Sequence, residues 1–107
     1  MTTTPESFLL VGPDERLPLT RRVTTIGRAP FNDIVVDYEG VSRKHASIYR
    51  EPDGFWITDL DSPHGTFVNG HRLGAEPRRL RNRDRIEVGA PVQWLYMESQ
   101  ATGEMPR

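Results

Sequence analysis

Residues 42–45 read Ser-Arg-Lys-His, which puts a hydroxyl, a guanidinium, an ammonium and an imidazole in four consecutive positions. Lys44 is the only lysine in a chain of 107 residues that carries 13 arginines. Upstream, Gly27-Arg28 follows the strand-like run Thr24-Thr25-Ile26 and opens a loop with Pro30, Asn32 and Asp33. If the 27–33 and 39–44 loops share one end of a fold, Arg28, Ser42, Arg43 and Lys44 converge. A group that accepts from all four must be highly charged and rich in lone pairs. A phosphate monoester carries about −1.5 to −2 charge and three acceptor oxygens, and arginine can grip it through two parallel bonds. The competing reading is a solvated basic loop neutralised by Asp37, Glu39 or Asp61.

Three further features would support such a loop. Gly27 permits a tight turn or a close backbone approach. His45 stands where the loop enters a strand, and is predicted to brace loop backbone through its ring nitrogens. The stretch DLDSPHGTFVNG, residues 59–70, is a loop of small and polar residues. In it Gly65 and Gly70 turn the chain, and the Asn69 amide can satisfy loop backbone. This loop could lie beside the phosphate and hydrogen-bond an extended peptide.

The elements that must position these residues are short. SFLLVG (7–12), RRVTTIG (21–27), DIVV (33–36), HASIYRE (45–51), FWITDL (55–60), RIEVG (85–89) and VQWLYME (92–98) are rich in β-branched or aromatic residues and bounded by Gly, Pro, Asn or Asp. In RIEVG, Ile86 and Val88 alternate with Arg85 and Glu87, the pattern of a strand with one wet face. EPDG (51–54) and VNG (68–70) read as turns. Nine Gly and nine Pro fragment the chain further. The expectation is an all-β antiparallel sandwich over residues 7–98, with loose tails at 1–6 and 99–107. Alternation predicts a core drawn from Leu9, Val11, Ile26, Ile34, Ile48, Trp56, Leu60, Ile86, Val88, Trp94 and Tyr96.

Taken together, IGR (26–28), SRKHASI (42–48), WITDLDSPHGTFVNG (56–70) and DRIEVG (84–89) resemble the forkhead-associated (FHA) domain, in that order and over nearly the whole chain, roughly residues 8–97. The resemblance implies a sandwich of about eleven short strands whose loops at one end bind an extended phosphothreonine peptide. By motif, Arg28 and Ser42 contact the phosphate, and Arg43 contacts phosphate or peptide. Lys44, His64 and Thr66 are further possible contacts. Gly27, His45, Gly65, Asn69 and Gly70 support the site. Phosphothreonine is preferred to phosphoserine through a niche for one methyl group, expected near 62–66. The residue three positions after the phosphothreonine is read as well. The departure is His64, which stands where the family commonly has an Asn that binds peptide backbone. An imidazole cannot donate and accept in the geometry of an amide.

The implied partners are a threonine-phosphorylated protein and a Ser/Thr kinase that writes the mark. Thr2, Thr3 or Thr4, if phosphorylated, would offer a route to self-association. Two rivals in binding remain. One is an FHA-like scaffold without phosphate dependence, which His64 keeps open. The other is nucleic-acid contact through RRLRNRDR (78–85), which packs five Arg into eight residues. That stretch holds Asp84 and no aromatic residue for base stacking, so a solvated basic loop is the expectation. Catalysis fares worse. A triad of Ser42, His45 and Asp59 can be drawn, but the serine lacks a nucleophile-elbow context.

His45, His64 and His71 have no metal-ligand spacing, and no cofactor is implied. Net charge is −1, which gives no global attraction to nucleic acid or anionic membrane. The chain has no Cys, so it has no disulfide or Cys-based metal site. No apolar run approaches the roughly 20 residues that cross a bilayer, and the first residues do not read as a signal peptide. The expected location is the cytoplasm.

Overall fold

The computed structural model describes residues 6–89 and 92–99. It contains eleven strands: β1 (Ser7–Leu10), β2 (Arg16–Pro18), β3 (Val23–Gly27), β4 (Ile34–Val35), β5 (Ala46–Glu51), β6 (Gly54–Asp59), β7 (Thr66–Val68), β8 (His71–Arg72), β9 (Arg78–Arg79), β10 (Arg85–Val88) and β11 (Gln93–Glu98). They form two sheets, ordered β2-β1-β11-β10-β7-β8 and β4-β3-β5-β6-β9. The pairs are antiparallel except β3 with β4, which run parallel through Ile26–Ile34 and Gly27–Val35. The expected sandwich is therefore present with one parallel edge. β4 has only two residues, and Asp33 sets its register. Asp33 accepts from Thr25 N (2.9 Å) and Thr25 Oγ1 (3.2 Å), and its own N–H donates to Thr25 Oγ1 (2.9 Å).

Alternation along the strands builds the core. Leu9, Val68, Ile86, Val88, Trp94 and Tyr96 point in from the first sheet, and Ile26, Ala46, Ile48, Phe55 and Ile57 from the second. Val41 and Leu80 fill in from loops. Two core expectations are overturned. In β6 it is Phe55 and Ile57 that face inward, so Trp56 lies on the outer face and donates its indole N–H to Asp53 Oδ1. Leu60 falls just past β6 and is 40% exposed, because inside–outside alternation ends with the ladder. Val11 and Ile34 pack only against the margin of the core.

The sheets also fix which loops meet. β3 ends, β5 begins and β6 ends on the same side, because β5 pairs antiparallel with both neighbours (Ile26–Ala46, Ala46–Asp59). The loops after β3, before β5 and after β6 are thereby gathered at one end. The Arg-rich 78–85 stretch is taken elsewhere. β9 pairs with Trp56 and Ile57, and Arg79 reaches the Asp53 carbonyl at the opposite turn of β6. The ladder between β1 and β11 continues to Ser99 N, which donates to Glu6 O at 2.7 Å. Among the described residues no helix is long and apolar enough to cross a membrane.

Candidate functional site

Backbone bonds lay the loop after β3 against the loop before β5. Arg28 N donates to Ser42 O (2.8 Å) and Ala29 N to Arg43 O (3.3 Å). This closeness requires glycine at 27. A Cβ there would lie 2.2 Å from the Arg43 carbonyl oxygen and 2.8 Å from Asn32 Nδ2, inside any tolerable contact. Buried Asn32 completes the clamp, donating its amide to Ala29 O (2.8 Å) and Arg43 O (2.7 Å).

His45 joins the third loop to the other two. It is fully buried. Nδ1 accepts from Ser42 N–H (3.0 Å), so Nε2 carries the proton and donates to Gly65 O (2.8 Å). The expected brace is present, with both nitrogens on backbone. This wiring also removes the drawn triad, since neither imidazole nitrogen faces the Ser42 hydroxyl.

Asp59 organises the loop after β6. Its carboxylate accepts from Ser62 N (3.0 Å), Ser62 Oγ (2.6 Å) and Thr66 Oγ1 (2.7 Å), and Ser62 Oγ in turn accepts from Gly65 N (3.0 Å). Partial burial by itself would raise the Asp59 pKa. The two hydroxyls and the Ser62 N–H outweigh it and hold the carboxyl below the ordinary value. Gly65 has φ +85°, and Arg72 Nε lies 2.6 Å from where a Cβ would stand. The Arg72 guanidinium donates to Pro63 O at 3.1 Å.

Above this frame stand the predicted contacts. Arg28 donates Nε–H to Val41 O (2.9 Å), which aims the guanidinium and leaves its outer N–H groups without a partner among the described residues. Half-buried Ser42 keeps its Oγ likewise unpartnered. Arg43 and Lys44 are exposed and lie over the ring of Phe31, at 5.8 and 5.7 Å from its centroid. Arg21 pairs with Asp33 at 3.6 Å. Asp37, Glu39 and Asp61 form no direct ion pair with this loop among the described residues.

The remaining expected residues divide. His64 is exposed on the loop after β6. Thr66 is fully buried with its hydroxyl given to Asp59, which places it in the supporting frame rather than on the surface. Asn69 binds the 81–85 segment instead of the loops after β3 and before β5. Its Nδ2 donates to Asp84 Oδ1, and its Oδ1 accepts from Arg85 N, both at 2.8 Å. Asn69 and Gly70 turn β7 into β8, which is how Arg72 comes to lie under the 62–63 carbonyls. Asn32, Asp59, Ser62 and Arg72 are the parts that sequence reasoning missed. An acid three residues before a serine is a visible turn signal. Arg72 had none.

The comparisons agree with this geometry. The FHA domain family model matches residues 24–89. The glycogen accumulation regulator GarA of Mycobacterium tuberculosis is 38% identical over 105 residues, covering 94% of this chain and 63% of GarA. The oxoglutarate dehydrogenase inhibitor of Corynebacterium diphtheriae is 39% identical over 74 residues, 69% of this chain and 50% of the inhibitor. The chain thus spans between half and two thirds of the length of these relatives. Among solved structures, Mycobacterium tuberculosis EmbR in complex with a low-affinity phosphopeptide superposes with a TM-score of 0.82 at 30% identity, over 89% of this chain and 25% of EmbR. The chain belongs to the FHA domain family.

Proposed function

We propose that this chain is a phosphothreonine-dependent recognition module in Ser/Thr-kinase signalling, with Arg28, Ser42 and Arg43 as the phosphate-binding residues. One observation carries this reading. Two guanidinium groups, an ammonium and a hydroxyl crowd one loop end, and no carboxylate of the described residues is within ion-pair distance of them. Self-repulsion of that kind is tolerated where an anion is to be bound. Arg28 is pre-aimed by Val41 O, and so loses less freedom on binding. Lys44 adds charge, and His64 lies where it can meet the peptide. The similarity to EmbR, solved with a phosphopeptide, supports the same chemistry.

Arg28, Arg43, Lys44 and His64 are exposed on loops, and the similar proteins bear the names of a regulator and an inhibitor. We therefore read a binding module rather than an enzyme, acting in the cytoplasm on a protein that a separate kinase has marked. A phosphorylated Thr2, Thr3 or Thr4, all outside the described residues, would be a ligand for its own site or a neighbour's. Such a phosphorylated chain would show shifted loop resonances or concentration-dependent association.

The test is a fluorescence-polarisation titration with degenerate phosphothreonine, phosphoserine and unphosphorylated peptide libraries. The expected result is binding to phosphothreonine alone. Equal binding to all three would assign the interaction to non-specific charge. No binding would leave an FHA-like scaffold without phosphate dependence.

A further inference from the structure

Arg43 and Lys44 are adjacent in sequence, and in extended backbone adjacent side chains point to opposite faces. Here the chain bends at 43–44, and both cations reach the same ring. Arg43 Cζ is 5.8 Å and Lys44 Nζ 5.7 Å from the Phe31 centroid. Phe31 is 59% exposed, so this ring serves the surface and not the core. Its backbone is held by the two residues that follow it. Asn32 is clamped to Ala29 and Arg43, and Asp33 to Thr25. The ring and its two cations are thereby built on the same loop frame as Arg28 and Ser42.

The charge at this end exceeds what one phosphate takes up. Arg28, Arg43 and Lys44 supply three positive charges with no carboxylate beside them among the described residues. A phosphate monoester supplies about −1.5 to −2. A cation–π contact gathers cations without neutralising them, so the surplus remains available to a ligand.

We propose that Phe31, Arg43 and Lys44 form a second anion subsite beside the phosphate, which takes an acidic group of the same peptide, a carboxylate or a second phosphate. This inference rests on the phosphothreonine reading. In it, Phe31 is a positioning residue that holds Lys44 against Arg43, and Lys44 meets the second anion.

The experiment starts from the tightest phosphothreonine peptide of the library. Each position from three before to four after the phosphothreonine is replaced in turn by Ala, Glu, Lys and phosphoserine. At one position, or two adjacent ones, Glu should bind about three- to fivefold tighter than Ala, and phosphoserine about tenfold tighter. Lys should bind weaker than Ala. The Glu-to-Ala ratio should fall toward one in Lys44→Gln and in Phe31→Leu, and with added salt. It should stay at the parent value in Arg81→Gln, which lies at the 78–85 stretch. Equal affinity for Ala, Glu and Lys at every position overturns the subsite and leaves the phosphothreonine reading standing. A Glu preference that survives both Lys44→Gln and Phe31→Leu also overturns it, because the acid is then read elsewhere. A parent that binds no phosphothreonine peptide overturns both.

Discussion

Two stretches of this chain are dense in positive charge, and the denser one is not the one proposed as the site. Residues 78–85 hold five arginines, yet the fold pulls them apart. Arg78 and Arg79 form β9 against β6. Leu80 between them and the turn is buried. Asp84 closes the turn by accepting from Arg81 N (2.8 Å), and Arg85 starts β10. The backbone of the segment is committed to two strands and the turn between them. Residues 42–44 hold only Ser, Arg and Lys, but the loop bends, and Arg28 arrives from the neighbouring strand end. Charge density along a sequence therefore differs from charge convergence in space. Convergence needs a scaffold, which here is the buried Gly27, Asn32 and His45, with Asp59 and Arg72 as its charged parts.

The largest effect that separates the two stretches is expected at Arg28. Arg28→Ala should weaken phosphopeptide binding by about a hundredfold or more, as loss of a bidentate charged pair does, with thermal stability unchanged. Affinity and melting temperature measured together check this. A variant that binds like the parent would break the site assignment.

Next comes the scaffold. Gly27→Ala should lower folding stability by about 1–3 kcal/mol through the clash with the Arg43 carbonyl, and weaken binding as the two loops separate. Denaturant unfolding with a parallel binding titration would show both losses, where Arg28→Ala shows only one.

Asp59 links the scaffold to pH. Its folded carboxyl titrates below the unfolded value of about 3.8, so the unfolded chain binds protons first as pH falls. The stabilisation is complete above roughly pH 5 and is lost through pH 4 and below. Asp59→Asn should cost about 1 kcal/mol at neutral pH, from weakened hydrogen bonds to Ser62 and Thr66. It should also flatten the acid limb of the stability profile, although Asp33, likewise held low by its Thr25 bonds, will retain part of the slope. An unchanged acid limb would remove Asp59 from this role.

Smaller effects belong to the rim. His64→Asn restores an amide that can donate and accept at once, and should tighten phosphopeptide binding about threefold. Weaker binding would mean that the imidazole makes its own contact. The smallest effect is expected in the other stretch, where Arg81→Ala should leave affinity within about twofold.

Much of the proposed site could be named from the sequence because its chemistry lies in exposed or turn-forming side chains whose types announce themselves. Arg28, Ser42, Arg43 and Lys44 could be named from donor chemistry, Gly27 from its place after a strand, and His45 from its position at a strand start. β7 escaped because Thr66–Val68 is three residues inside a loop-like stretch. β9 escaped because Arg-Arg has no strand preference. The outward turn of Trp56 was not visible either, since an apolar run such as Phe55-Trp56-Ile57 does not state which parity is inside.

The sequence by itself determined the alternating short strands, the donor set and the turns that separate them, because these follow from local propensity and residue chemistry. Tertiary structure alone decided which of the two basic stretches converges. It also decided that Thr66 lies buried in the frame, that Asn69 braces the 81–85 segment, and that Phe31 gathers two adjacent cations. The physical reason is that convergence depends on strand pairing across long sequence separations. The Asn32–Arg43, His45–Gly65 and Arg72–Pro63 hydrogen bonds exist only once the second sheet and the β7–β8 turn have formed.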